Sequence, residues 1–379
     1  MSLSIAQLER ESPLDAAAVD RFLASHTFPI VEGTSVTFVY RGQADAVHLQ
    51  HWIYGLPSYQ PFHRVQGTDL WRLIMELPEK SRVEYKLEVT QGADKRLIND
   101  PLNPLLTRDP FAENSVCHAA GYETPSWVFP NPETRTGSLE EIDVPSPALG
   151  GGQKRVTMYI PARFRATRRY PLLVVHDGLD YVRYSDLKTV LDNLIHRLEI
   201  APMIVALIQS DARLREYADD PRHAKYVVED LVPHLESRYP LLARPSARGL
   251  MGASFGAVAS LSTAWRYPGF CELLLLQSGS FAFTDIGTNK RGPHFEPVVR
   301  FVNAFRADPG RPAEKLFVSC GIYETLIYEN RSIVPLLQST GMAVRYVEAR
   351  DGHNWQNWRD RLRDGLSWLF PGPLWLVYE

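Results

Sequence analysis

Cysteine is scarce in this chain. Cys117, Cys271 and Cys320 stand far apart in 379 residues and are odd in number, with no paired spacing. That excludes a disulfide framework and a zinc knuckle, and it reads as three reduced, structural thiols. A dominant sign of charge is also missing. Lys and Arg total 41 against 44 Asp and Glu, so neither nucleic acid nor an anionic membrane is an expected partner. No stretch reaches the roughly 18 apolar residues of a membrane span. Residues 1–11 hold no apolar run of signal-peptide length, so a cytoplasmic protein is expected. No ligand spacing calls for a metal or cofactor, and none is expected. Composition leaves the oligomeric state open.

What is present is a change of period along the chain. Residues 14–26 read as a helix capped by Asp15, within an N-terminal helical segment at 1–30. Apolar and polar residues then alternate at 36–40, 46–49, 71–77 and 83–89, with turn residues such as Gly42, Gly55, Gly67 and Gly92 between. Short strands at this spacing predict a small all-β sandwich over 31–108. Residues 105–138 are rich in Pro, Asn, Thr and Gly without a period, and 109–138 is read as a linker.

From 139 to 379 strands and helices alternate. Residues 156–160 read as an edge strand, and 172–175 and 203–208 as solid apolar runs buried on both faces. A helix is expected at 222–237, opened by Asp220-Pro221 and kinked at Pro233. Further strands at 273–277, 316–319 and 344–348, with helices at 329–339 and 355–370, predict an α/β fold built on a doubly wound, mostly parallel sheet.

One stretch carries chemistry. Gly252-Ala253-Ser254-Phe255-Gly256 matches G-x-S-x-G, between an apolar run and a small-residue helix. In that setting the pattern is a sharp strand-to-helix turn exposing a serine hydroxyl. Such a hydroxyl needs a base, and the base needs an orienting acid. Each should follow a strand at the carboxyl edge of the sheet. His353, after the strand at 344–348, is the base candidate; His294 lies in a polar loop with no strand just before it. Glu324, after the strand at 316–319, is the acid candidate, with Glu329 and Asp351 as rivals. An oxyanion hole needs two backbone N–H groups. Phe255 supplies one, and the loop His176-Asp177-Gly178-Leu179 the other, with Leu179 as donor and Gly178 turning the backbone inward. His176 and Asp177 are expected to be semi-buried and to hold that loop.

Together these residues resemble the enterochelin esterase-like branch of the α/β-hydrolases, related to the esterase D group, over roughly 138–371. The resemblance rests on His176-Asp177-Gly178, Arg213-Leu214-Arg215-Glu216-Tyr217, Glu229-Asp230-Leu231-Val232-Pro233, the serine turn, and Gly352-His353-Asn354-Trp355. It implies a serine carboxylic ester hydrolase with Ser254, His353 and Glu324 as its triad. It also implies an immunoglobulin-like or carbohydrate-binding-module-like domain ahead of the catalytic one. A ferric siderophore ester would be strongly anionic and would want arginines over the pocket; Arg64, Arg183, Arg213 and Arg291 are placed to supply them, or Arg213 and Glu216 simply pair. Arg213, Arg183 and Trp355 are the candidate substrate-binding residues. The partner implied is a small-molecule ester. An acyltransferase, a carbohydrate esterase binding glycan through Trp52, Tyr54 or Trp71, and a non-catalytic binding protein are the alternatives.

Overall fold

A computed structural model describes residues 2–284 and 291–373, so the last six positions of the 139–379 segment lie outside the described residues. The chain divides into two units. The first comprises Met1–Thr124 with two later pieces, Gly321–Glu324 and Ala349–Asn354; the second comprises the rest.

Alternation shapes the first unit. Helices α1 (Ser4–Leu8) and α2 (Ala16–Ser25) come first, and the Asp15 carboxylate accepts the Ala18 N–H at 2.8 Å as the cap of α2. Strands β1 (Ile30–Glu32), β2 (Ser35–Arg41), β3 (Ala46–His51), β4 (Tyr59–Pro61), β5 (His63–Arg64), β6 (Leu70–Glu76), β7 (Arg82–Gln91), β8 (Asp94–Ile98), β9 (Leu106–Arg108) and β10 (Glu113–His118) follow. Among the described residues they form two sheets, ordered β1-β2-β6-β5 and β4-β3-β7-β10-β9, with β8 on β7. Val83, Tyr85, Leu87 and Val89 all point into one core with Val36, Phe38, Val47 and Leu49, as a strand period of two requires. Trp71 lies in this core too, 7 % exposed, and donates its indole N–H to Gly42; it is not an open glycan platform.

Residues 105–138 are not wholly irregular. β10 pairs with β7 from Ser115 to His118 and with β9 from Glu113 to Ser115. The sequence Glu-Asn-Ser-Val-Cys-His hides it because Asn114 and Ser115 are polar yet buried, each with a hydrogen bond that makes burial tolerable.

The second unit is built on a mixed eight-stranded sheet, counted among the described residues. Its strands are β11 (Ser138–Pro145), β12 (Gln153–Ile160), β13 (Leu172–His176), β14 (Ile204–Ile208), β15 (Arg248–Ala253), β16 (Leu273–Gln277), β17 (Lys315–Gly321) and β18 (Ala343–Ala349). Their order is β11-β12-β14-β13-β15-β16-β17-β18. β14, β13, β15, β16 and β17 are parallel neighbours, while β12 meets β14 antiparallel. β12 is therefore not at the edge. β11 covers it along eight paired residues, and its charged outward positions Glu141 and Asp143 suit an exposed border.

Helices α3 (Gly178–Tyr184), α4 (Leu187–His196), α5 (Arg213–Glu216), α6 (Pro221–Lys225), α7 (Val232–Arg238), α8 (Phe255–Arg266), α9 (Glu296–Ala307), α10 (Ile327–Ser339) and α11 (Trp355–Leu369) flank the sheet. Leu172, Val174, Leu250 and Leu274 face the core of α7, α8, α9 and α10. Leu173, Val175, Met251 and Leu275 face that of α4 and α11. Burial on both faces is why these strands read as unbroken apolar runs. Pro233 does more than kink its helix: residues Tyr226–Leu231, just before it, wind as a π turn. Pro233 has no N–H to give the carbonyl four residues back, and the widened turn absorbs that loss. No helix among the described residues is long and apolar enough to cross a membrane.

Candidate active site

Ser254 stands between β15 and α8 with φ 57° and ψ −118°, a backbone that a residue with a side chain rarely adopts. Backbone hydrogen bonds hold it there, among them a 3.4 Å bond from the Val258 N–H to the Ser254 carbonyl. Its N–H donates to the Gln277 carbonyl at 2.9 Å, and its own carbonyl accepts the N–H groups of Ala257 at 3.2 Å and Ser280 at 3.2 Å. Each glycine makes room for a different neighbour. A Cβ at Gly252 would lie 2.3 Å from the Gly256 carbonyl carbon, and one at Gly256 would lie 3.1 Å from the His176 Cβ. Strand and helix approach so closely only because both side chains are absent.

The Ser254 Oγ lies 3.1 Å from the Ser280 Oγ. Ser280 was not singled out by sequence, yet it follows β16 at the carboxyl edge of the sheet, and that position was the available signal. Phe255 is the first residue of α8, where a backbone N–H has no helical acceptor.

The loop after β13 differs from expectation in two respects. His176 and Asp177 are fully buried, not semi-buried. The left-handed residue is Asp177, φ 56°; Gly178 is needed for clearance instead, since a Cβ there would sit 2.4 Å from the Leu207 Cα on β14. Leu179 follows in the first turn of α3 and is 39 % exposed.

Beneath this loop is a buried polar cluster. His176 Nδ1 lies 3.1 Å from the Met251 carbonyl, and its Nε2 lies 3.1 Å from the Nε2 of His223. With Nδ1–H given to Met251, His176 Nε2 accepts and His223 Nε2–H donates. Burial pushes His176 well below the usual imidazole range and His223 down to about 4, so both are neutral near pH 7. Burial raises the Asp177 carboxyl, and Arg213 opposes that rise.

Arg213 gives its Nε–H to both Asp177 oxygens, at 2.9 and 2.8 Å, and lies over the rings of Tyr217 and Phe255. It does not pair with Glu216, which accepts the Ser210 hydroxyl at 2.6 Å. Arg183, in the last turn of α3, lies over the Tyr184 ring. Trp355 is 9 % exposed, packed against Tyr181, Tyr184 and Trp358, which places it in the apolar core. Arg291 pairs with the buried Glu329.

The acid and base candidates meet in the first unit. His353 Nδ1 lies 2.5 Å from Glu324 Oε2, and Glu324 Oε1 accepts the Gly321 N–H at 2.6 Å. The carboxylate side chain is 1 % exposed and the imidazole 36 %. A carboxylate this close is met by a proton on Nδ1, which leaves Nε2 as the acceptor nitrogen of the ring. Neither rival takes that place. Asp351 turns to Arg82, the Gly352 N–H and the Asn354 amide, and Glu329 to Arg291. Ser254, Phe255, Gly178, Leu179, Arg213, Arg183 and Trp355 belong to the second unit, Glu324 and His353 to the first.

Known proteins share this architecture. A family model described as a putative esterase matches residues 146–369. The iron(III) enterobactin esterase of Escherichia coli O6:H1 is 24 % identical over 330 residues, covering 80 % of each chain. That of Dickeya dadantii is 24 % identical over 347 residues, 83 % of this chain and 80 % of the relative. The enterobactin esterase of Shigella flexneri, crystallised in the presence of enterobactin, superposes with a TM-score of 0.74 at 21 % identity, covering 92 % of this chain and 97 % of that one. The chain belongs to the putative esterase family, in its enterochelin esterase-like branch, and is a carboxylic ester hydrolase.

Proposed function

We propose that the chain cleaves small-molecule carboxylic esters, siderophore esters among them, through an acyl-enzyme on Ser254. The observation that carries this reading is the 2.5 Å contact between His353 Nδ1 and the buried Glu324 carboxylate. It is the acid–imidazole half of a triad, and the strained Ser254 turn is the nucleophile half.

The Ser254 Oγ attacks the ester carbonyl carbon while His353 Nε2 takes its proton. Glu324 stabilises the imidazolium formed. The developing oxyanion is held by the N–H groups of Phe255 and Leu179. Collapse expels the alcohol, which takes the proton back from His353. Water then attacks the acyl-enzyme, with His353 again as base, and releases the carboxylic acid.

The named relatives act on iron(III) enterobactin. An anionic ester of that kind suits the cationic side chains of Arg213 and Arg183. Arg213 keeps 33 % of its side chain exposed despite its pairing with Asp177. Trp355, being buried, supports the site by packing. The two sheets of the first unit make an immunoglobulin-like sandwich, and three buried free cysteines suit a reducing cytoplasm.

A fluorophosphonate probe tests the reading. Wild type is labelled and hydrolyses enterobactin, while Ser254→Ala does neither. Equal labelling and turnover by both proteins would refute it.

A further inference from the structure

The residues that hold His353 reach well beyond its own loop. Arg82 opens β7 and is 2 % exposed. Its backbone N–H donates to the Arg350 carbonyl at 2.9 Å. Its Nη1 donates to Asp351 Oδ1 at 3.3 Å and to Asn354 Oδ1 at 3.1 Å. Glu84 Oε1 accepts from the same guanidinium at 3.0 Å. His353 lies between Asp351 and Asn354, so one buried cation ties the chain on both sides of the imidazole. Asp351 Oδ1 closes the loop on itself by accepting the Gly352 N–H and the Asn354 amide, both at 2.7 Å.

The acid is anchored to the same loop and to the residue just before that strand. Tyr323, the residue before Glu324, gives its N–H to the Asp351 carbonyl at 3.1 Å and shares a 2.6 Å hydroxyl contact with Ser81, the neighbour of Arg82. Its carbonyl accepts the Tyr54 N–H at 2.8 Å, and its ring packs in the core with Phe38 and Tyr85. The Arg350 side chain donates to the Glu79 carbonyl at 2.6 Å. All these groups lie in the first unit.

A buried guanidinium between two carboxylates is a costly device for stability alone, since apolar side chains of similar volume often serve as well or better. What it gives is directionality: a planar fork with fixed donor angles. We propose that Arg82 is a positioning residue for the acid–base pair, setting the orientation of the His353 imidazole through Asp351 and Asn354. The β unit is then part of the catalytic apparatus and not an appended binding module. This rests on the reading of His353 as the base.

The test uses the full chain with p-nitrophenyl acetate as probe substrate. Arg82→Met lowers kcat at least tenfold and leaves KM within twofold. It also broadens or removes the low-field proton resonance of His353 Nδ1, assigned by its loss in His353→Gln. Arg82→Lys, which keeps the charge without the fork, recovers only part of kcat. Should Arg82→Met fail to fold, Asn354→Ala removes one arm of the tie, and severalfold lower kcat with a broadened resonance is expected. Wild-type kcat and an unchanged resonance in whichever variant folds would overturn the proposal. If His353→Gln itself keeps full turnover, the reading of the base fails, and the positioning role with it. If His353→Gln is inactive while Arg82→Met is unimpaired, the positioning role alone fails.

Discussion

Replacing His223 with glutamine should flatten the acid sensitivity of the fold. His223 is wholly buried with its Nε2 against that of His176, and burial holds it at about 4, against 6.5 for an ordinary imidazole. The unfolded chain therefore binds the proton more tightly than the folded one. Stability linked to this group is complete above pH 6.5 and is lost as pH falls from 6.5 toward 4. Between pH 7 and pH 5 the loss comes to about 2 kcal/mol. With a urea slope of roughly 3 kcal/mol per M, the midpoint moves down by about 0.6 M. Asp351 works in the opposite sense: burial raises its carboxyl to about 6, so acidification through that value favours the folded form. The informative quantity is thus the difference between proteins. Tryptophan fluorescence in urea at pH 7 and pH 5 should show wild type losing about 2 kcal/mol more than His223→Gln. Parallel losses in the two proteins would refute a neutral, buried His223.

Three further outcomes follow from the geometry. Gly252→Ala puts a methyl 2.3 Å from the Gly256 backbone, so thermal unfolding should show a loss of about 1–3 kcal/mol, with ester turnover falling further than stability explains. Glu324→Gln leaves the imidazole without its charged partner; kcat should drop by about 10² or more while the circular dichroism spectrum stays native. Cys117 and Cys271 are buried, with thiols pushed up to about 12, so iodoacetamide should leave both unmodified until the protein unfolds, as peptide mass mapping would show.

Much of the second unit could be read because its signals are local. Strands buried on both faces are solid apolar runs, and G-x-S-x-G carries its own steric reason in Gly252 and Gly256. Glu324 and His353 were chosen by their place after strands, which depends on chain order alone, and the structure brings those two side chains together. What escaped was what depends on partners remote in sequence. β11 shows Glu140, Glu141 and Asp143 because one of its borders is open. β10 buries Asn114 and Ser115 because distant groups satisfy them. Nothing near Arg82 tells that it will meet Asp351, 269 positions away. The pattern that marks β7 as a half-buried strand begins at Val83 and passes it over.

The core of the first unit includes Tyr323, which the ribosome adds some 200 residues after the rest of that core. At translation speeds of roughly 5–20 residues per second, the earliest-made sheets wait about 10–40 s for it. Any β structure formed before then has a gap at that site, and the piece carrying the histidine arrives later still. The enzyme's first-born part is among the last to be finished.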